Sequence, residues 1–247
     1  MNSINNSLPA DQRQIFKKAL RGLNASGLPY VVGGAFAVQH YTGIWRNTKD
    51  LDIHVTPNRR DEAMDIMAKL GFQTFIKFEP WLAKATLGPY YIDIVYGMGN
   101  WLAPVDQVWI DKASPGALFR IPVSLAPPEE IIWHKAFVAA RDRHDGGDIN
   151  HIIAALRGNI DWRHLEDRFN GHWELLLSTL VTFRYVYPSH RDYIPEWVLR
   201  ELLNRLQRDL AEPWTGPNLC RGTLLDPTGT YSPDVESLGY YDARKQA

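Results

Sequence analysis

The stretch VVGGAFAVQHYTGIWRNTKDLDIHV, residues 31–55, decides how this chain is read. Its first two valines close the apolar run LPYVV (28–32), a strand signal broken by Gly33-Gly34. AFAVQHY (35–41) reads as a helix, and Gly43 is placed to cap its C-terminus. LDIHV (51–55) predicts a second strand. Side chains alternate between faces along a strand, so Asp50, Asp52 and His54 share one face, and Leu51, Ile53 and Val55 the other. The apolar set belongs against the core. The aspartates then lie side by side, with Cα atoms about 6.5–7 Å apart from the rise per strand residue. Two like charges so close call for a cation, and carboxylates at this spacing can ligate magnesium ions about 3.5–4 Å apart. Asp-x-Asp alone also occurs on solvated strand faces without any ligand.

A third acid strengthens the metal reading. Asp93 lies in YYIDIVYG (90–97), with Ile92 and Ile94 on the opposite face. An acid inside an otherwise apolar strand is either an edge residue facing water or the completion of a carboxylate cluster of the kind magnesium prefers. Gly33-Gly34, between a strand and a helix, lets backbone N–H groups approach a phosphate, although a plain strand-to-helix turn looks the same. Arg46 and Thr48 precede the first acid by four and two residues. They are candidates for phosphate contact or for bracing the loop.

Outward from this segment, the two halves of the 247-residue chain differ. Residues 1–125 alternate strand-like and helical runs. A helix is expected over Asp11–Leu23 and another from Thr56-Pro57 to Gly71, with strands at 72–78, 81–87 and 90–97, the last two joined as a hairpin at Gly88-Pro89. Residues 126–247 read as mostly helical, with an extended tail from about Glu212. Helices are expected from Pro127-Pro128 through about Arg143, then near 148–156, 161–169, 173–187 and 195–211. The fold class is therefore α/β or α+β: a mixed sheet with flanking helices over 1–125, then a helical C-terminal domain over 126–247.

Composition sets outer bounds. Hydrophobic residues make up 45% of the chain, enough for an ordinary core. The formal net charge of -1 gives no global attraction to a long polyanion. One cysteine, Cys220, excludes an internal disulfide and fits a reducing cytoplasm. No signal peptide or membrane span is expected from the apolar runs.

Together, Val32-Gly33-Gly34, Asp50-Leu51-Asp52 and Asp93 resemble the signature of the nucleotidyltransferase superfamily, the DNA polymerase β-like fold. Arg46-x-Thr48-x-Asp50-x-Asp52 resembles the bacterial subgroup around AbiEii-type toxins. EEIIWHKAFVAARDRHDGGDINHI (129–152) is similar to the helical segment of that subgroup. There Lys135 would correspond to a lysine near the nucleotide phosphates, and Asp145 and Asp148 to the acids that follow, with Gly146-Gly147 departing from the pattern and weakening the helix. The resemblance implies a magnesium-dependent enzyme with two metal ions held by Asp50, Asp52 and Asp93. It implies an NTP donor bound through Gly33, Gly34, Arg46, Thr48, Lys135 and Asp148, and an acceptor hydroxyl on a small molecule, a protein or a tRNA. It also raises the expectation of a cognate regulatory partner.

Other readings compete. The pair His144-Asp145, with His134, Asp148 and His151 nearby, invites comparison with metal-dependent HD phosphohydrolases, but it is followed by Gly-Gly and lacks an upstream helix with a clear partner. A catalytically silent nucleotide-binding or antitoxin-like protein on the same fold would keep the pocket without turnover. Trp133, Trp162, Trp173 and Trp197 sit at helical spacing and read as packing rather than base stacking. The aromatic pair in GYYDARKQA is expected to dock the tail.

Overall fold

The protein is described from a computed structural model covering residues 8–226 and 232–246. Met1–Pro127 and Pro128–Ala247 form two compact units.

The first unit opens with α1 (Ala10–Ser26), which buries Phe16, Ala19, Leu20 and Leu23. That i, i+3, i+4, i+7 stripe is the core-facing side of an amphipathic helix. Gly27, at φ 72°, ends it. Only Val31 and Val32 of the expected strand LPYVV pair, as β1. α2 (Gly34–Thr42) stops at Gly43, whose left-handed backbone lets its N–H reach the Gln39 carbonyl, as expected. β2 spans Asp50–His54. The next helix starts differently from expectation. Pro57–Arg59 is a 3-10 turn ahead of α3 (Arg60–Lys69), and the Thr56 hydroxyl bonds Asn58 Oδ1 instead of capping the backbone. β3 (Gln73–Phe78), β4 (Leu82–Leu87) and β5 (Tyr90–Val95) follow, the last two joined across Gly88 at φ 61°. A short helix α4 (Gln107–Asp111), capped by the Asp106 side chain, precedes the β6 (Ser114–Leu118) and β7 (Ile121–Leu125) hairpin.

The seven strands form one mixed sheet in the order β3-β4-β5-β2-β1-β7-β6. β2 and β5 run parallel at its centre, which requires a long crossover, here through α3 and the β3–β4 hairpin. Leu51, Ile53, Ile92 and Ile94 are fully buried on one face of this pair. Each contributes about 1.5–3 kcal/mol by leaving water, so the register that buries all four is strongly preferred. The opposite face of the same strands carries the acids.

The second unit contains α5 (Pro128–Ala136), α6 (Gly146–Ala155), α7 (Trp162–Phe169), α8 (Trp173–Val186) and α9 (Glu196–Ala211). The helix expected through Arg143 ends at Ala136. The apolar run after it, FVAA (137–140), buries Phe137 against Phe169, and Lys135 and Arg143 hold Asp145 where the chain folds back, so that Ala140 N–H donates to Arg143 O and Asp145 N–H to Val138 O. Gly146-Gly147 does not weaken a helix. The pair opens α6, with Asp145 at the N-cap and Asp148 in the first turn. Inside the unit, Glu130 is fully buried and meets His164 Nε2 at 2.6 Å and Arg168 Nε at 2.9 Å.

Beyond α9, Leu219–Cys220 (β8) and Tyr241–Asp242 (β9) pair in parallel, with α10 (Gly222–Leu225) and α11 (Ser232–Ser237) between them. The tail is not docked by its aromatic pair: Tyr240 and Tyr241 are about half exposed. Asp242 instead ties the end of the tail to α10, buried and accepting from Thr223 Oγ1 at 2.5 Å and Arg244 N at 2.9 Å.

Candidate active site

The β-ladder sets the geometry. Asp52 is the direct register partner of Asp93 across β2–β5, and Asp50 is the partner of Tyr91. Partners across a ladder present side chains on the same face, so the three carboxylates share a surface. Asp50 and Asp52 are half-buried, whereas Asp93 is buried, because β5 is an interior strand flanked by β4 and β2 rather than an edge.

The glycines fit this surface by their lack of side chains. A Cβ on Gly34 would lie 1.8 Å from Asp52 Oδ2, and one on Gly33 would lie 2.2 Å from His54 Cε1. Gly34 also takes φ 53°, a left-handed conformation that L side chains resist. Gly33 N–H donates to the Asp52 carbonyl at 3.0 Å, which locks the turn to β2. The turn and the first acids are thus one rigid piece.

The loop between α2 and β2 is braced from two sides. Buried Gln12 on α1 donates to the Thr48 carbonyl at 2.7 Å, and the Thr48 hydroxyl bonds Asp50 Oδ1. Thr48 therefore orients the first acid. Trp45 packs on Phe36 with ring centroids 5.3 Å apart, and Arg46 is exposed on the same loop. Beneath the acids, His54 is buried and stacks on Trp109 at 4.8 Å. Burial pushes its imidazole down to about 3.

One residue of this site is absent from the sequence reading. Lys84 on β4 is the register partner of Asp93 on the side away from β2, and its Nζ lies 2.6 Å from Asp93 Oδ1. The same ammonium sits 4.0 Å from the centre of the Tyr91 ring. Burial pushes the Asp93 carboxyl up; Lys84 pulls it back by hydrogen bond and charge, Asp50 adds to the rise, and the net is upward. Tyr91 is raised as well, by burial and then by the charges of Asp50, Asp93 and Asp52 against Lys84. All three acids and the lysine therefore act on one spot.

Among the described residues, no three His, Cys, Asp or Glu side chains form a ready metal cage. Within the cluster Asp93 is engaged by Lys84 and Asp50 by Thr48. The donor set nonetheless fits magnesium in kind: carboxylate oxygens only, concentrated on one face, with an ammonium already drawn to them.

Lys135 and Asp148 belong to the second unit. The Lys135 ammonium, on α5, lies 2.7 Å from Asp145 and 2.8 Å from Asp148, so it ties α5 to the start of α6. Burial would raise the Asp145 carboxyl, but Arg143 and Lys135 outweigh it and hold it below the usual range. The histidines near this segment do not converge with it. His144 is exposed, and His151 Nδ1 instead lies 2.7 Å from the Tyr187 hydroxyl.

A mixed sheet with Gly-Gly leading into a helix and acids on two adjacent parallel strands is the architecture of the nucleotidyltransferase fold. Solved structures align with the chain. The antibiotic-resistance factor ANT(2'')-Ia in solution aligns over 68% of this chain and 96% of its own, at 19% identity and a TM-score of 0.51. Its complex with adenylyl-2''-tobramycin aligns over 72% and 99%, at 20% identity and a TM-score of 0.47. The lincosamide antibiotic adenylyltransferase LnuA, with lincomycin bound, aligns over 57% and 96%, at 15% identity and a TM-score of 0.43. The first of these carries the conclusion that the chain has the nucleotidyltransferase fold. No family model and no curated protein matches the chain.

Proposed function

We propose that this protein is a magnesium-dependent nucleotidyltransferase that moves a nucleoside monophosphate from an NTP to an acceptor hydroxyl and releases pyrophosphate. The observation that carries the proposal is the pairing of Asp52 with Asp93 on the face that Gly34 leaves open. Asp50, Asp52 and Asp93 would hold magnesium, which supplies charge neutralisation for the triphosphate and for the attacking oxygen. The chain does the rest. The Gly33-Gly34 turn and the start of α2 offer backbone N–H groups to phosphate oxygens, with Arg46 on the adjoining loop. Thr48 holds the Asp50 carboxylate in place. Asp93 accepts the proton of the acceptor hydroxyl; that oxygen bonds the α-phosphorus as the bond to the leaving pyrophosphate breaks. Lys135 and Asp148 enter through the integrity of the second unit. Since the neighbour at TM-score 0.51 is an antibiotic-resistance factor, small-molecule hydroxyls head the acceptor screen.

Calorimetric titration of ATP, GTP, CTP and UTP with magnesium tests this. One nucleotide should bind the wild type and fail to bind Asp50→Asn/Asp52→Asn. Binding that survives the double substitution would place the nucleotide elsewhere and sink the mechanism.

A second reading draws on one observation. Lys84 already neutralises Asp93, as it would in a silent nucleotide-binding protein that keeps the pocket without turnover. Magnesium-dependent pyrophosphate release with any acceptor excludes that reading.

A further inference from the structure

We propose that Arg13, Lys17 and Arg120 form a binding site for a small phosphorylated anion, on the flank of the first unit between α1 and the β6–β7 turn. This inference does not rest on the nucleotidyl-transfer reading. The three cations line a cavity of about 330 Å³ together with Gln14 and Phe119. Arg13 and Lys17 are i, i+4 on α1, so they stand one above the other on the same helix face. Arg120 reaches the cavity from the hairpin. Among the described residues none of the three has an acidic partner. The chain as a whole carries a formal charge of -1, so this is a local concentration rather than general basicity.

The backbone supplies a second, independent observation. Leu118 pairs with Ile121, leaving a two-residue turn in which Phe119 and Arg120 take φ 54° and 67°. Such turns favour Asn-Gly, because both positions are left-handed. Bulky residues there are strained and persist where the surroundings or a function hold them. Phe119 is explained by the core: it is buried and packs edge-on against Phe36 at 5.9 Å. Arg120 is not. It is exposed, strained and, among the described residues, unpaired, where a glycine would relax the turn. It lines the same cavity as Arg13 and Lys17. Two forked donors and a point charge around one concavity match the oxygens of a phosphate group.

Inorganic pyrophosphate and the phosphates of a free nucleotide offer this chemistry equally. The test is calorimetry with pyrophosphate and with ADP, in chelator and without metal, so that the acid cluster repels the same anions. The proteins are wild type, Asp50→Asn/Asp52→Asn, Arg13→Gln/Arg120→Gln and the distant control Lys69→Gln/Lys77→Gln. Pyrophosphate should bind the wild type, the aspartate variant and the control alike, and weaken at least about tenfold in Arg13→Gln/Arg120→Gln, the loss of charged hydrogen bonds. ADP binding about tenfold tighter than pyrophosphate assigns the site to a nucleotide; equal affinity assigns it to phosphate alone. Arg120→Gly should weaken binding while raising the melting temperature, which a purely structural arginine would not do. No pyrophosphate binding, binding unchanged in Arg13→Gln/Arg120→Gln, or an equal loss in the control overturns the proposal.

Discussion

Asp93 stands in register between Asp52 on one side and Lys84 on the other, so a lysine, an aspartate and an aspartate form a row across β4, β5 and β2. The row continues just past the end of β1, where Gly33 N–H bonds the Asp52 carbonyl. Charge alternates imperfectly along it: one ammonium faces two carboxylates, with Asp50 alongside. The lysine meets the buried acid at 2.6 Å, and Asp52 stands beside it on the same face.

Replacing Lys84 with methionine should therefore expose a competition. Without its partner, buried Asp93 is an uncompensated charge, and stability should fall by about 1–3 kcal/mol in metal-free buffer. Added magnesium should then raise the melting temperature of Lys84→Met more than that of wild type, and Lys84→Arg should behave as wild type. Equal metal-induced shifts in all three proteins would show that Lys84 and the metal do not share Asp93.

Gly34→Ala tests the fit of the turn. Its Cβ would collide with the Asp52 carboxylate and adopt φ 53°. The left-handed backbone alone costs roughly 1–2 kcal/mol, and Asp52 must move. Nucleotide titration should show magnesium-dependent affinity lowered at least about tenfold, with circular dichroism reporting a folded protein. Unchanged affinity would separate the glycines from the acid cluster.

His54 gives a pH signature. Its folded-state value of about 3 lies below the unfolded value of 6.5, so the unfolded chain binds a proton that the folded chain refuses. Its contribution is whole above pH 6.5 and is lost progressively as pH falls toward 3. At pH 5 the loss is about 2 kcal/mol, from 1.36 kcal/mol per pH unit. Urea unfolding at pH 7 and pH 5 should show this loss in wild type and a smaller one in His54→Phe, which keeps a ring on Trp109. An identical acid limb in both proteins would assign the loss to other groups.

Lys135→Met removes the bond between α5 and α6. Asp145 would keep Arg143 but lose its second cation, and Asp148 would lose its ammonium partner, so stability should fall by about 1–3 kcal/mol. Nucleotide affinity is expected to stay within about twofold of wild type. A large loss of affinity in a protein that still melts cooperatively would instead put Lys135 on the phosphates.

The parts of the site that were legible in sequence are local. Gly-Gly after a β-branched pair and Asp-x-Asp on a strand carry their meaning within a few residues, and the fold follows from them. Lys84 carries none locally: WLAKATL reads as a strand with one polar interruption. Its role appears only when the hairpin closes at Gly88-Pro89, which pairs Leu87 with Tyr90 and therefore Lys84 with Asp93. A two-residue turn fixes that register, so the signal was present in residue counting rather than in residue type. The overrun of α5 has the opposite cause. Helical pattern and acidic start are real up to Ala136, and the stop comes from ion pairs among Lys135, Arg143 and Asp145 that no local pattern encodes.

The parallel pairing of β2 with β5 has a consequence for how the chain tolerates insertions and deletions. The two strands supply acids to one surface while everything between Val55 and Pro89 forms a separate arm of the sheet. Length changes at the tip of that arm, between Phe78 and Leu82, leave the pairing of Asp52 with Asp93 untouched. A single residue inserted between Tyr90 and Asp93 turns the third acid toward the core and drives Ile92 or Ile94 outward. Two inserted residues restore the face but displace the acid by a full pleat repeat. Gene-length variants of this protein should therefore vary freely at the arm's tip and keep β5 at constant length.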